Sequence, residues 1–382
     1  MTTQTTEPTL PRYGEASLDA LATSILASLG VPDEPNPLQF APVDRICLLL
    51  VDGLGWELLR AHPAAAPFLS ELAMNASPLT VGFPATTATS LGSLGTGRPP
   101  GQHGLLGYQV AVPYPGEVPR KLLNALKWDA DVDARQWQPQ VTIFERASAA
   151  GVRPIRIAPG KLDGTGLSTA AMRGGQYLAA GTAGALVSRA AAALAASAPA
   201  FALVYYGDLD ATGHVLGSLS DAWRYQLAHV DKLAEQLASA LPRGTVLHVT
   251  GDHGMVDVSE ADRIDVDALP ELRDGVALLG GEARARHLYC VPGAVGDVIA
   301  AWRKVLGEVA WVVGRDQAIA EGWFGPVDDR FLARIGDVIV APCGPTAVIA
   351  SKAEPRESAM VGLHGSLTHS DQLVPLLTIT VG

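Results

Sequence analysis

Six side chains suited to metal ligation stand where apolar runs end. Asp52 closes "LLLVDGLGW", Asp210 and His214 lie four apart in "YYGDLDATGHVLG", Asp252 and His253 are adjacent in "VTGDHGM", and His364 sits between glycines in "GLHGS". Carboxylate oxygen and neutral imidazole nitrogen are the donors that Zn²⁺ and similar ions take. Each motif alone has a plainer reading: a helix cap at Asp52, an Asp turn beside a surface histidine at Asp210 and His214, a structural imidazole at His364. Taken together, three carboxylates and three imidazoles exceed the four ligands that one zinc uses. They predict two ions about 4 Å apart, an arrangement suited to in-line phosphoryl displacement. Gly213, Gly251 and Gly254 are expected to give the tight turns that bring these side chains together, and Asp208 reads as turn chemistry or outer support.

A nucleophile is the missing part, and "GFPATTATSLGSLGTG" supplies candidates. Thr86, Thr87, Thr89 and Ser90 follow a proline at the start of a small-residue helical pattern. A hydroxyl there lies beside backbone N–H groups that favour an anion, although ordinary N-capping uses the same residues. Metal coordination would lower its pKa enough for attack at neutral pH.

These residues need a scaffold that gathers strand ends. The runs "RICLLLV" (45–51), "RPIRIA" (153–158), "FALVYY" (201–206) and "TVLHVT" (245–250) read as buried parallel strands, with helices expected at about 142–150, 183–197 and 218–240. Open α/β sheets place their sites at the carboxyl ends of such strands. "SLDALATSILASLG" reads as a helix with Ser17 as N-cap and Gly30 as stop, after a loose arm over residues 1–16. Residues 17–258 and 336–382 are expected to form the catalytic core. Two segments break the rhythm: a cap at about 108–140, and an inserted lid over 259–335 with its own strand-helix-strand pattern in "ARHLYCV", "GDVIAAWRKVLG" and "AWVVG".

At 382 residues with 48% hydrophobic and 18% charged residues, the chain has material for a large core plus an insert and too little charge for disorder. Its net charge of −11 argues against a non-specific grip on a nucleic acid polymer. Cys47, Cys290 and Cys343 are too few and too scattered for a disulfide framework. With no basic-then-apolar start and no long apolar span, a cytoplasmic protein without a membrane segment is the expectation.

Five pieces in order, "VDGLG", "FPATTATSLGSLGTGRPPGQHG", "DATGH", "GDHGM" and "GLHG", resemble the alkaline phosphatase superfamily, and most closely its type I phosphodiesterase/nucleotide pyrophosphatase branch. The resemblance implies an α/β sandwich with a mostly parallel central sheet, inserted cap and lid segments, and two Zn²⁺ at the sheet's carboxyl edge, with Mn²⁺ or another divalent ion as the alternative. It puts Asp210, His214 and His364 on one zinc, and Asp52, Asp252, His253 and Thr87 on the other. Thr87, three residues after Pro84, becomes the nucleophile, forming a covalent phosphothreonine intermediate. Where the family commonly has an asparagine that donates to a phosphoryl oxygen this chain has Ser90, a hydroxyl in place of an amide. The sulfatase pattern around the nucleophile is absent.

The activity so implied is hydrolysis of phosphodiester or pyrophosphate bonds in small, nucleotide-like phosphate esters. A phosphomonoesterase or a hydrolase of phosphonate C–P bonds would use the same metals, and a binding protein that had lost its chemistry would be expected to lack a ligand or the nucleophile. An arginine or lysine at the free phosphoryl oxygens would favour monoesters; Lys121, Lys127 and Lys161 lie in or near the cap. Tyr108, Tyr114, Trp128 and Trp137 could stack a base, but small-subdomain core is the commoner use of such residues. His103 in "GQHG" reads as structural.

Overall fold

The computed structural model describes residues 7–113 and 119–382. The four apolar runs and one edge segment become parallel strands: β1 (Arg45–Val51), β2 (Arg153–Ala158), the edge strand β3 (Gln176–Ala179), β4 (Ala200–Tyr206) and β5 (Val246–Gly251). In space they run β5-β1-β4-β2-β3, and the C-terminal strand Leu376–Thr380 closes the β5 edge antiparallel. β1 and β4 are the inner pair, so β1 is apolar at every position after Arg45. Ile46, Leu48 and Leu50 enter the core on one face, while Cys47, Leu49 and Val51 enter the core on the other.

Helices cover both faces. On the first lie α1 (Leu18–Ser28), α2 (Thr87–Thr96), α3 (Ile143–Ala149) and α4 (Gly166–Met172); on the second lie α5 (Ala183–Ala195), α6 (Asp208–Leu216) and α7 (Asp221–Ala240). Local chemistry fixes their starts. Thr142 and Glu145 form a reciprocal capping box on α3, Thr182 accepts from Ala185 N–H on α5, and Ser220 accepts from Trp223 N–H on α7. Ser17 precedes α1 in extended geometry, but its hydroxyl donates to Asp19 rather than capping a backbone N–H. Gly30 follows that helix at φ +79, as its stop requires.

The lid pattern appears as a second sheet of β6 (Val276–Glu282), β7 (Ala285–Cys290), β8 (Ala310–Gly314) and β9 (Val338–Pro342), ordered β6-β7-β9-β8 and antiparallel throughout. Under it α8 (Val295–Leu306) buries Trp302 and Leu306 against Leu288, Val338 and Val340. β9 lies beyond residue 335, where the core was expected to resume, because its residues pair with β7 and β8 and not with the central sheet. The cap contributes a short hairpin, Gln109–Ala111 with Leu122–Asn124, tied to the second sheet by Ala111 N–H donating to Tyr289 Oη at 2.8 Å. Residues 7–16, expected as a loose arm, are bonded along the body: Thr9 N–H to Leu367 O at 2.7 Å, Arg12 N–H to Thr80 Oγ1 at 2.8 Å, and Tyr13 Oη–H to Trp323 O at 2.7 Å. Among the described residues the three cysteines are free thiols, and no helix is long and apolar enough to cross a membrane.

Candidate active site

Three adjacent strands, β5, β1 and β4, deliver their carboxyl ends to one place. β1 ends at Asp52, β5 at Asp252 and His253, and β4 runs into α6, which carries Asp210 and His214. Gly53 lets them converge: it holds φ +74, its N–H donates to Asp252 Oδ1 at 3.0 Å, and a Cβ there would lie 3.0 Å from Asp210 Cβ. Asp210 and His214 stand one helical turn apart, with carboxylate Oδ2 3.3 Å from imidazole Nε2. The expected turn at Gly213 is therefore helix. Gly213 is small for another reason, since a Cβ would lie 2.3 Å from the Met255 sulfur.

His364 arrives from the C-terminal segment. Its ring stacks on His253 with centroids 3.6 Å apart, and lies 5.2 Å from the His214 ring. Five of the six expected ligands meet in two overlapping triplets, Asp52/Asp252/His253 and Asp210/His253/His364, with the donor atoms of each triplet within 4.8 Å of one another, and His214 adjoins the second triplet through Asp210 and the His364 ring. His253 lies between the two groups and shares in both, whereas the sequence reading placed it in the first alone.

Of the four hydroxyls at the start of α2, Thr86, Thr89 and Ser90 are buried at 3% exposure or less, and Thr87 is half-buried at the cavity. Thr87 Oγ1 lies 3.5 Å from Asp52 Oδ1 and 3.3 Å from His253 Nε2. Ser90, expected to face a phosphoryl oxygen, instead donates to the Asp252 backbone carbonyl at 2.5 Å, because the helical turn from Thr87 to Ser90 aims it at β5. Its single proton is spent on holding the Asp252 main chain. The first N–H groups of α2 have no side-chain cap, and the first helical bond runs from Ser90 N–H to Thr86 O, so those of Thr87 and Ala88 have no acceptor within the helix.

The electrostatics of so many ligands are strained without a cation. Burial, then the Asp52 charge, pushes Asp252 up to about 7 and holds Asp210 well above the carboxylate range. Burial would raise Asp52 too, but hydrogen bonds from His253 and Tyr205 and the His253 charge outweigh it and lower the pKa. For His253 burial opposes charging, yet Asp252 and Asp52 override it and raise the pKa well above the usual imidazole value. His364 and His214 are held low, first by burial.

Residues 46–367 match the type I phosphodiesterase/nucleotide pyrophosphatase family. The chain belongs to that family. It is accordingly a phosphodiesterase/nucleotide pyrophosphatase-type hydrolase of a metal-dependent family. No curated protein sequence matches the chain. Its fold is shared with murine ectonucleotide pyrophosphatase/phosphodiesterase 5 (TM-score 0.69, 18% identity, 87% of each chain), including an inactive variant of it in complex with AMP (0.68, 17%, 87% of each chain). Phosphonoacetate hydrolase from Sinorhizobium meliloti 1021, in complex with phosphonoacetate, is also similar (0.64, 18%, 88% of this chain and 90% of that one).

The donor set of this phosphodiesterase-family chain fits metal. Each of the three imidazoles has Nδ1 on a backbone carbonyl: His214 on Gly362 at 2.7 Å, His253 on Gly254 at 2.8 Å, His364 on Ala85 at 2.9 Å. A carbonyl only accepts, so Nδ1 carries hydrogen and Nε2 is the nitrogen left for a cation. Asp210 Oδ1 and Asp252 Oδ2 are buried without a protein hydrogen-bond partner. Two neighbours of the ligands escaped the sequence reading. Tyr205 Oη donates to Asp52 Oδ2, and Glu282 of β6, whose Oε2 is 3.6 Å from His364 Nδ1, is pushed up to about 8 by burial. Tyr205 stood five residues before Asp210 in the ligand motif itself; Glu282 comes from the second sheet, and no local pattern marks it.

The site opens into a cavity of about 380 Å³, lined by Thr87, Tyr108, Gln109, Leu126, Glu354 and Glu357 among others. No lysine or arginine of the described residues lines it. Lys121 pairs with Asp129 and Asp131 near the surface, and Lys127 and Lys161 are exposed. Trp137 is core, with the Arg334 guanidinium 3.6 Å above its ring, and Trp128 packs edge-on to it at 6.4 Å; Tyr108 reaches the cavity, and Tyr114 lies outside the described residues. His103 is fully buried, 3.2 Å from Ser93 Oγ, away from the cluster.

Proposed function

We propose that the chain hydrolyses phosphodiester or pyrophosphate bonds of small, nucleotide-like molecules with Thr87 as nucleophile and two divalent cations, Zn²⁺ or Mn²⁺. The observation that carries this reading is the position of Thr87. It is the accessible hydroxyl of its group, within 3.5 Å of both Asp52 and His253, at a helix start with uncapped N–H groups. Asp52, Asp252, His253 and Thr87 would hold one cation, and Asp210, His214 and His364 the other. Bound there, the cations would acidify the Thr87 hydroxyl and a water and offset charge on the phosphoryl oxygens.

Asp52 and His253 orient Oγ1, and the N–H groups of Thr87 and Ala88 face the equatorial oxygens. Attack by Oγ1 on phosphorus forms the Thr87 ester as the P–O bond to the leaving group breaks. Water then attacks the same phosphorus, breaks the bond to Oγ1 and restores the threonine. A diester is preferred because it exposes one fewer charged oxygen, and the cavity supplies no lysine or arginine for a second.

The test is metal-quantified protein assayed on bis(p-nitrophenyl) phosphate, p-nitrophenyl phosphate and phosphonoacetate. About two metals per chain, preference for the diester, and loss of turnover by at least about 10³-fold in Thr87→Ala with metal retained are expected. Monoester preference would redirect the reading to a phosphatase, phosphonoacetate turnover to C–P cleavage, and bound metal with no turnover would sink it.

A further inference from the structure

A second, smaller cavity of about 120 Å³ leads off the first, sharing Thr87, Leu126, Leu162, Thr165, Leu167 and Tyr205 with it. It lies on the α4 face of the central sheet, where register aligns Leu203 of β4, Arg156 of β2 and Tyr177 of β3 in one row. Its walls are largely apolar, yet Arg156 lines it. The Arg156 guanidinium lies 5.3 Å from the Tyr177 ring and 5.8 Å from the Phe144 ring, and its Nε is buried without a hydrogen-bond partner. No described carboxylate pairs with it; Asp163 acts only at longer range, and burial lowers the guanidinium pKa.

Arg156 is half-buried, and its Nε, shut off from water and left without an acceptor, carries a cost that ring stacking offsets only in part. Its planar fork matches a carboxylate or phosphate bidentately. The main cavity is unsuited to a second anion, because Glu354 and Glu357 line it. The arm holds about four water volumes, enough for a short carbon segment ending in such a group. We propose that this arm is the subsite for the group attached to the phosphoryl centre, and that Arg156 selects substrates in which that group ends in a compact anion, a carboxylate or a phosphate. This assignment rests on the reading of Thr87 as the reacting centre, since the arm departs from that residue.

The test measures binding to metal-loaded protein by calorimetry with three non-ester probes: propylphosphonate, 3-phosphonopropionate and 1,2-ethylenediphosphonate. At least one of the two probes with an anionic far end is expected to bind tenfold or more tightly than propylphosphonate. Which of the two wins identifies carboxylate or phosphate as the terminal group. In Arg156→Met, whose stem still packs on the rings, that ratio should collapse to within about twofold of unity, and in Arg156→Lys part of it should return. Equal affinities on the unaltered protein, or an Arg156→Met variant that weakens all three probes alike, would overturn the subsite while bis(p-nitrophenyl) phosphate turnover stands. Failure of all three probes to bind, together with no turnover of that diester, would overturn the proposed function and the subsite with it.

Discussion

At the scale of single residues, two hydroxyls on one helix turn have different work. Thr87 points into the cavity, and Ser90 points behind it onto the Asp252 carbonyl at 2.5 Å. Ser90→Ala should therefore destabilise the protein by about 1–3 kcal/mol, the range for leaving a buried polar partner unsatisfied. It should lower kcat on diester and monoester alike, measured by denaturant unfolding and by the ratio of the two rates. A change in that ratio would return Ser90 to the substrate. Spacing in the sequence located both hydroxyls, but which faces the cavity depends on how α2 is rotated against β5. That rotation is set by packing among residues far apart in the chain, such as Gly95, whose Cβ would lie 1.8 Å from the Ala171 carbonyl oxygen. Arg156 escaped notice for a related reason: "RPIRIA" reads as an apolar strand, and only the row across β4, β2 and β3 shows what its one interior charge faces.

At the scale of elements, the strand ends were legible because each combines a continuous apolar run with an abrupt polar stop, and β1, β2, β4 and β5 form within a residue of where those runs predict. Helix α6 was not legible, since "DLDATGH" contains turn-forming residues and a glycine, and its helicity comes from docking beside β4. The lid's strands were legible one by one, but β9 was not assigned to them because partners 50 residues away decide to which sheet an apolar run belongs. Gly53 joins β1, β5 and α6. Gly53→Ala places a side chain at φ +74 and 3.0 Å from Asp210 Cβ. It should cost roughly 1–2 kcal/mol from the backbone alone and lower metal content, read together by unfolding and elemental analysis. Unchanged metal content would show that α6 can shift without spreading the ligands.

At the scale of the molecule, Arg284 and Asp371 form a bidentate ion pair, 2.9 and 2.7 Å, fully buried between the second sheet and the segment that bears His364. Arg284→Met should cost about 3–5 kcal/mol by stranding Asp371; a loss under about 1 kcal/mol would show that water reaches the gap. Three further imidazoles are held neutral by burial, His103 and His287 at about 3 and His248 at about 4. These lowered values leave their contribution complete above the unfolded value near pH 6.5, and it is lost as pH falls toward 3–4, because the unfolded chain takes up protons that the folded one refuses. Melting temperature should fall through that window, and less steeply in His103→Asn; identical slopes would remove His103 from the account. Chelation should lower the melting temperature too, since ions bound only by the folded state stabilise it by mass action. The proposed ligands run from Asp52 to His364, and the strand Leu376–Thr380, which follows them in the chain, pairs with β5. During synthesis at the ribosome, the earlier carboxylates must wait until His364 has emerged before the last imidazole reaches them, so a shorter growing polypeptide would carry no complete hydrolytic centre.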